Sequence, residues 1–154
     1  MASSGPLGPR IVELVSLFNA QKSDLPAAVV HNTCVFRLNG RAYHEHLGRP
    51  ATDPLVRLIG CGPAGYRFLL TALRYAMTGP RLTLDQGTLD EQTSGEEHVI
   101  SVRAVLSGML RGEQEPFVAA GLITARAEAD GQLRELAVML GDADVERLLA
   151  ARRR

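Results

Sequence analysis

The sequence has few of the features that mark special classes of protein. Its two cysteines, Cys34 and Cys61, are too few for a disulfide framework and lack metal-binding spacing. Basic and acidic side chains number 17 each, so the chain has no overall positive field for nucleic acid. No apolar run approaches the length of a membrane span, and the first nine residues lack the charged start and apolar core of a signal peptide. We therefore expect a reduced, cytoplasmic protein without nucleic-acid or membrane partners.

What remains is an ordinary globular composition. The 154 residues are 45% hydrophobic and 22% charged, which fits a single folded domain. We place a flexible N-terminus at residues 1–9, one domain at residues 10–141, and a C-terminal helix with a basic tail at residues 142–154. The tail ends in three consecutive arginines, and we expect it to be solvated.

Apolar residues at helical spacing predict three helices, at residues 9–19, 64–77 and 142–151. A further helical turn is expected around Pro26. Residues 48–63 are linker-like, and their apolar run at residues 55–59 is interpreted as a short edge strand or a lid.

The clearest hairpin is centred on Asn39-Gly40, the dipeptide that a two-residue type I′ turn prefers. This turn places Leu38 opposite Arg41 and Phe36 opposite Tyr43, so residues 33–46 should form two paired strands. Strand alternation then predicts one inward face. Its members are Cys34, Phe36, Leu38, Tyr43 and Glu45.

Further strands are predicted at residues 81–90, 98–111, 117–127 and 132–140, the last two joined by a turn at Asp130-Gly131. The expected fold class is α+β: a curved antiparallel sheet wrapped around N-terminal helices. Such a cone encloses a deep pocket, which we take as the candidate functional site.

The order of these elements resembles a known superfamily. The helix that begins Gly65-Tyr66-Arg67 and the block SVRAVLSGMLRG at residues 101–112 resemble the nuclear-transport-factor-2-like superfamily. The turn ADGQLRE at residues 129–135 resembles its SnoaL-like branch. This resemblance implies a cone, a homodimer, and a cofactor-independent cyclase or isomerase acting on a small hydrophobic polyketide-like or epoxide intermediate. The superfamily also includes proteins without catalysis, so the fold does not decide the function.

An enzyme of this kind needs polar groups among apolar walls. Tyr43 and Arg103 are predicted to polarise a substrate oxygen, and Glu45 or Asp85 to transfer the proton. The predicted substrate-binding wall is Phe36, Tyr66, Phe68, Leu69, Ser107 and Met109.

Two arguments conflict over Arg103. Its strand alternates with the apolar set Ile100, Val102, Ala104 and Leu106, which by apolarity should form the core and leave Arg103 outside. The resemblance instead implies that the mixed face lines the pocket, and we follow it. The epoxide-hydrolase-like members carry an Asp two residues after this Arg, whereas this sequence has Val105, which counts against simple epoxide hydrolysis.

Other chemistries have weaker support. His44 and His46, with His31, would share a strand face as metal ligands, but no fourth ligand has suitable spacing. Residues 60–63 lack the Lys-Ser/Thr of a phosphate loop, and no nucleophile motif supports a catalytic triad. The main alternative to an enzyme is a non-catalytic ligand-binding or dimerisation module of the same fold.

Overall fold

The computed structural model describes residues 7–24, 29–46, 48–50 and 52–152, with residues 57–59 as backbone only. In chain order, the elements are α1 (Leu7–Asn19), β1 (Val30–Leu38), β2 (Arg41–Ala42), α2 (Tyr43–His46), α3 (Pro54–Ile59), α4 (Gly62–Ala76), β3 (Met77–Ser94), β4 (Glu97–Leu110), β5 (Pro116–Ala127), β6 (Leu133–Leu140) and α5 (Asp142–Arg152). None of the helices described is long and apolar enough to cross a bilayer.

The strands form a single six-stranded sheet in the order β2-β1-β6-β5-β4-β3. All neighbours are antiparallel except β1 and β6, which run parallel. The predicted α+β class is confirmed, and the sheet is mixed rather than wholly antiparallel. The four predicted strands that follow the hairpin correspond to β3, β4, β5 and β6.

The helices cover one face of this sheet, here called the inner face. Helix α1 packs on β3 and β4, α4 packs on β1 and β3, and α5 packs on α4. Along β4, Ile100, Val102, Ala104 and Leu106 point into this layer and are buried. Burial of these alternating apolar side chains fixes the register of the strand.

Helix α4 carries much of the pocket wall, and its start is set by local chemistry. Cys61 has an extended backbone before the first turn, Gly62 has a φ of +66°, and Pro63 stands in the first turn, where a missing N–H costs nothing. The helix ends where Met77 becomes extended and begins β3. The predicted helix at residues 64–77 is therefore confirmed to within two residues.

The first helix begins earlier than predicted. The N–H groups of Leu7 and Gly8 donate to Glu91 Oε1 at 3.1 and 2.9 Å, so a carboxylate caps the N-terminus of α1. Residues 7–9 are thus helical rather than part of a flexible lead-in. Residues 1–6, the predicted helical turn around Pro26 and the last two arginines lie outside the described residues.

The apolar run at residues 55–59 is helical, which corrects the predicted edge strand or lid. Asp53 precedes the helix with an extended backbone, and its side chain accepts a hydrogen bond from Leu55 N at 2.9 Å. Pro54 occupies the first turn. An Asp cap followed by Pro is a helix-start signal that outweighs the strand-like composition of a segment with four apolar residues in five.

The hairpin is only partly as predicted. The turn is confirmed, since Asn39 and Gly40 have φ of +51° and +81° and Leu38 pairs with Arg41. The second strand ends after Ala42, however, and the predicted pairing of Phe36 with Tyr43 is wrong. His46 Nε2 donates to Leu38 O at 2.7 Å and folds residues 43–46 back as one helical turn. Along its other edge, strand β1 pairs with β6.

Candidate active site

The candidate site is an apolar cavity of about 210 Å³ between the inner sheet face and helices α4 and α5, here called the inner cavity. Helix α4 contributes leucines at positions 69, 70 and 73, and α5 contributes leucines at positions 148 and 149. The sheet supplies Phe36 and Leu38 from β1, and Leu136 and Val138 from β6. Apolar walls of this kind favour a small hydrophobic ligand.

Polar residues at the inner cavity are few, and two of them are already engaged. Tyr66 donates its hydroxyl to Lys22 O at 3.3 Å, and burial raises the pKa of Tyr66 to about 12. Arg37 alternates with the inward-facing Phe36 and Leu38, so its side chain points to the other face of the sheet. There its Nε lies 3.7 Å from a carboxylate oxygen of Glu135.

Tyr43 and Arg152 are the polar residues of the inner cavity that remain available to a ligand. The Tyr43 hydroxyl is buried, and no described residue accepts a hydrogen bond from it. The ring packs edge-on against Phe68, with centroids 5.5 Å apart, and the Arg152 guanidinium lies 5.9 Å from its centroid. Burial raises the pKa of Tyr43, and the charge of Arg152 and a hydrogen bond from its guanidinium to the phenol oxygen oppose this rise. The phenol is therefore protonated at neutral pH and can donate a hydrogen bond to a ligand.

A second cavity of about 220 Å³, the outer cavity, adjoins the first. Both are lined by Phe36, Tyr43, Leu69 and Arg152, and the outer cavity adds His44 and Arg49 among others. The shared residues place Tyr43 at the boundary between an apolar chamber and a more polar one.

His44 has a defined tautomer. Its Nδ1 lies 2.8 Å from Arg49 O, and because a carbonyl oxygen only accepts, Nδ1 must carry the proton. In the neutral ring, Nε2 is then unprotonated and able to accept a proton. His44 is half-buried and lines the outer cavity next to Tyr43.

The structure brings together five of the ten predicted site residues. Tyr43, Phe36 and Leu69 line both cavities, Tyr66 lines the inner cavity, and Phe68 lines the outer one. Glu45 is exposed and lines neither cavity. Its predicted inward position depended on strand alternation with Tyr43, which does not apply in the helical turn α2.

The other predicted residues lie on or near the outer face of the sheet. Arg103 is exposed and stands opposite Asp85, which is also exposed. The apolar alternation of β4 correctly predicts an outward Arg103, and the inward position implied by the resemblance is wrong. Ser107 and Met109 continue the same alternation and line neither cavity.

The sequence analysis missed Arg152 and His44 as cavity residues. Arg152 was assigned to a solvated tail, yet it follows Leu148 and Leu149 by four and three residues, a spacing that places all three on one helix face. His44 was considered only as an outward-facing or metal-binding residue. Within the described residues, no group of three His, Cys, Asp or Glu side chains could hold a metal ion.

Solved structures with the same fold identify the architecture. PrhC from Penicillium brasilianum superposes with a TM-score of 0.66 at 13% identity, covering 95% of this chain and 87% of PrhC. A candidate scytalone dehydratase from Novosphingobium aromaticivorans gives 0.61 at 11% identity, covering 87% and 80%. An NTF2-like (nuclear-transport-factor-2-like) protein of unknown function from an Exiguobacterium species gives 0.60 at 17% identity, covering 86% and 98%.

The chain has the NTF2-like cone fold. At these identities the similarity is one of fold. No protein-family model matches the sequence, and no curated protein matches it either. The NTF2-like fold is shared by proteins of different or unknown function, so the activity must be argued from the cavity itself.

Proposed function

We propose that this protein is a cofactor-independent acid/base enzyme, a cyclase or isomerase, that acts on a small hydrophobic molecule such as a polyketide-like ketone or epoxide. The observation that carries the proposal is the buried Tyr43 hydroxyl at the boundary of the two cavities, whose proton has no acceptor among the described residues. Buried polar groups are normally hydrogen-bonded, and an exception at a cavity wall suggests that the ligand supplies the missing partner.

In the proposed mechanism, Tyr43 donates a hydrogen bond to a substrate oxygen that becomes negatively charged. His44 Nε2 removes a proton from the neighbouring substrate carbon, which leaves the electron pair in an enolate stabilised by Tyr43. In a substrate whose enolate is conjugated with a carbon–carbon double bond, His44 returns the proton to the far carbon of the dienolate and completes an isomerisation. In a ring closure, the enolate carbon attacks a second carbonyl carbon of the same molecule, and the π bond of that carbonyl opens to an alkoxide that takes the proton from His44. Apolar walls favour the compact substrate conformation that ring closure needs.

This assignment changes the proton carrier that the sequence suggested. Glu45 and Asp85 are exposed and outside both cavities, whereas His44 lines one of them. The fold of the candidate scytalone dehydratase supports the general class, since loss of water from a small molecule also requires proton transfer.

A second candidate function is binding without catalysis. No Asp or Glu is among the described residues that line either cavity, and carboxylates are frequent general bases. A protein that only carries or senses a small apolar molecule would need the walls and the Tyr43 hydrogen bond but not His44.

The deciding experiment measures proton exchange and binding separately. 2-Tetralone, a two-ring ketone, is incubated with the protein in D₂O, and deuterium incorporation next to the carbonyl is followed by NMR. We expect faster exchange with the wild type and a loss of about 10²-fold or more in both Tyr43→Phe and His44→Gln. Glu45→Gln, on the same helical turn but exposed, is the matched control and should retain the rate.

Binding of the same ketone is measured by calorimetry. Binding without accelerated exchange would support the non-catalytic function. Exchange that survives in both Tyr43→Phe and His44→Gln would contradict the proposed site.

We also propose that two copies associate through the outer face of the sheet. The side chains of Val118, Leu122 and Met139 are apolar, exposed and lie on β5 and β6. Leu122 and Met139 are directly paired across these strands. Adjacent exposed apolar side chains on an open sheet face are typical of a protein interface.

A further inference from the structure

Arg152 is the one guanidinium group whose helix directs it toward the inner cavity within the described residues. It shares a face of α5 with Leu148 and Leu149, and all three line that cavity. The other arginine bordering it, Arg37, has its side chain on the outer sheet face with Glu135. The inner cavity therefore combines apolar walls with a single positive charge.

This charge has no acidic partner in the part of the chain that the structure describes. Arg147, five residues earlier on α5, has its Nη2 2.7 Å from Glu113 Oε1. Arg152 forms no such ion pair, and its described contacts are with Tyr43: the guanidinium lies 5.9 Å from the ring centroid and donates to the phenol oxygen. A cation bordered by apolar groups attracts an anion more strongly than a solvated cation does, because the local dielectric constant is low.

We infer that the ligand of this cavity is an apolar carboxylic acid, held by its carboxylate on Arg152. The planar guanidinium presents paired N–H donors that match the two oxygens of a carboxylate, which favours this group among anions. The hydrocarbon part then fills the inner cavity between Phe36 and Leu69. The inference rests on the proposed function and deepens it, since it names the substrate class of the same site.

The position of Tyr43 refines that class. Its ring lies beneath Arg152, and no described residue accepts a hydrogen bond from its hydroxyl. With the carboxylate on Arg152, Tyr43 remains free for a second oxygen nearby in the same molecule. The expected substrate is therefore an apolar oxo acid, with the reacting carbonyl close to the carboxylate.

The test compares two probes that differ only in charge, 2-naphthoic acid and its neutral amide, 2-naphthamide. Binding of each is measured by calorimetry at neutral pH. We expect the wild type to bind the carboxylate about tenfold or more tightly than the amide. Arg152→Gln should lose this preference while its affinity for the amide changes little. Arg147→Gln is the matched control on the same helix and should retain the preference.

Arg152→Lys keeps the charge but not the paired donors, and it should retain part of the preference. Arg152→Lys also keeps the test decisive if Arg152→Gln fails to fold. Circular dichroism checks the fold of both variants. Equal wild-type affinity for the two probes, no binding of either, or a preference that survives in Arg152→Gln would overturn the inference. Carboxylate-selective binding without exchange of 2-tetralone would leave this inference standing and count against the enzyme function alone.

Discussion

The side-chain amide of Asn39 pairs with the main chain of Leu140 through two hydrogen bonds. Asn39 Nδ2 donates to Leu140 O at 2.9 Å, and Leu140 N donates to Asn39 Oδ1 at 2.7 Å. Asn39 also occupies the first turn position of the hairpin, with a φ of +51°. One residue thus shapes the β1–β2 turn and fixes the end of β6, from which α5 leads to Arg152.

Substitutions of Asn39 should separate these two roles. Asn39→Gly keeps access to positive φ but loses both hydrogen bonds to Leu140 and a third, from Asn39 Nδ2 to Asp142 Oδ1 at 3.3 Å. We expect the free energy of unfolding to fall by about 2 kcal/mol. Asn39→Ala also places a Cβ in the left-handed region, which should cost about 1 kcal/mol more. Urea unfolding of the two variants measures the difference. Equal losses would mean that the turn conformation contributes nothing beyond the hydrogen bonds.

Tyr43→Phe should stabilise the protein while it removes activity. The variant keeps the edge-on packing on Phe68 but deletes a buried hydroxyl whose proton has no acceptor among the described residues. Removing an unsatisfied polar group should raise the free energy of unfolding by about 1 kcal/mol. Thermal and urea unfolding test this, and a clear loss of stability would indicate that the hydroxyl is hydrogen-bonded in the folded protein.

Stability should fall at alkaline pH because of two buried acids that are neutral in the folded state. Burial raises the pKa of the Cys34 thiol from 9.0 to about 12 and that of Tyr66 from 10.0 to about 12. Each group therefore stabilises the fold fully below its ordinary pKa, and this contribution is lost as pH rises towards 12. For Tyr66 the loss is roughly 2 to 3 kcal/mol.

Urea unfolding at a series of pH values across this range measures how steeply the free energy of unfolding falls with pH. Cys34→Ala should make the decline shallower from about pH 9 upward, and Tyr66→Phe from about pH 10 upward. A slope unchanged in both variants would mean that other groups cause the alkaline loss.

Much of the fold was predictable because the periodicity was unambiguous. The β4 strand alternates apolar and polar residues, and α4 carries apolar residues at helical spacing. Burial of these apolar side chains alone therefore specifies both elements. The Asn39-Gly40 turn was equally clear, since few dipeptides adopt positive φ twice. These signals are local and do not depend on the rest of the chain.

The site was less predictable because it depends on contacts between distant segments. Tyr43 and His44 follow a turn that should continue as a strand, and the sequence gives no sign that β1 takes β6 as its neighbour. The hydrogen bond from His46 to Leu38 O is likewise a tertiary contact. Arg152 was overlooked because an arginine beside two others looks solvated, although its spacing from Leu148 indicated an inward face.

Gly62, at the start of α4, and Gly79, in β3, form a matched pair that tests how closely α4 approaches β1. Both have positive φ, +66° and +62°. A Cβ on Gly62 would lie 2.5 Å from Asn32 O, whereas a Cβ on Gly79 would meet nothing within 4 Å. Gly79→Ala should therefore cost about 1 to 2 kcal/mol of strain. Gly62→Ala should cost about 3 kcal/mol or more, because main chain must also move.

Urea unfolding compares the two alanine variants directly. If Gly62→Ala costs no more than Gly79→Ala, the close approach of α4 to β1 is not a constraint on the fold. Because α4 carries Tyr66 and Leu69, a shift at Gly62 should also weaken binding in the inner cavity.

The proposed dimer makes a prediction about the outer sheet face. Leu122 is 37% exposed beside Met139 at 45%, and Val118 on the same strand is 62% exposed. Leu122→Asp would place a charge in the centre of this patch, and a buried, unpaired charge strongly opposes association. We expect the wild type to sediment as a dimer and Leu122→Asp as a monomer.

Tyr75→Asp, at an apolar position on α4 that is 60% exposed and away from this face, should remain dimeric. A wild type that stays monomeric at high concentration would refute pairing through the sheet. If Leu122→Asp and Tyr75→Asp are both monomeric, the interface lies near α4 and not on the outer sheet face.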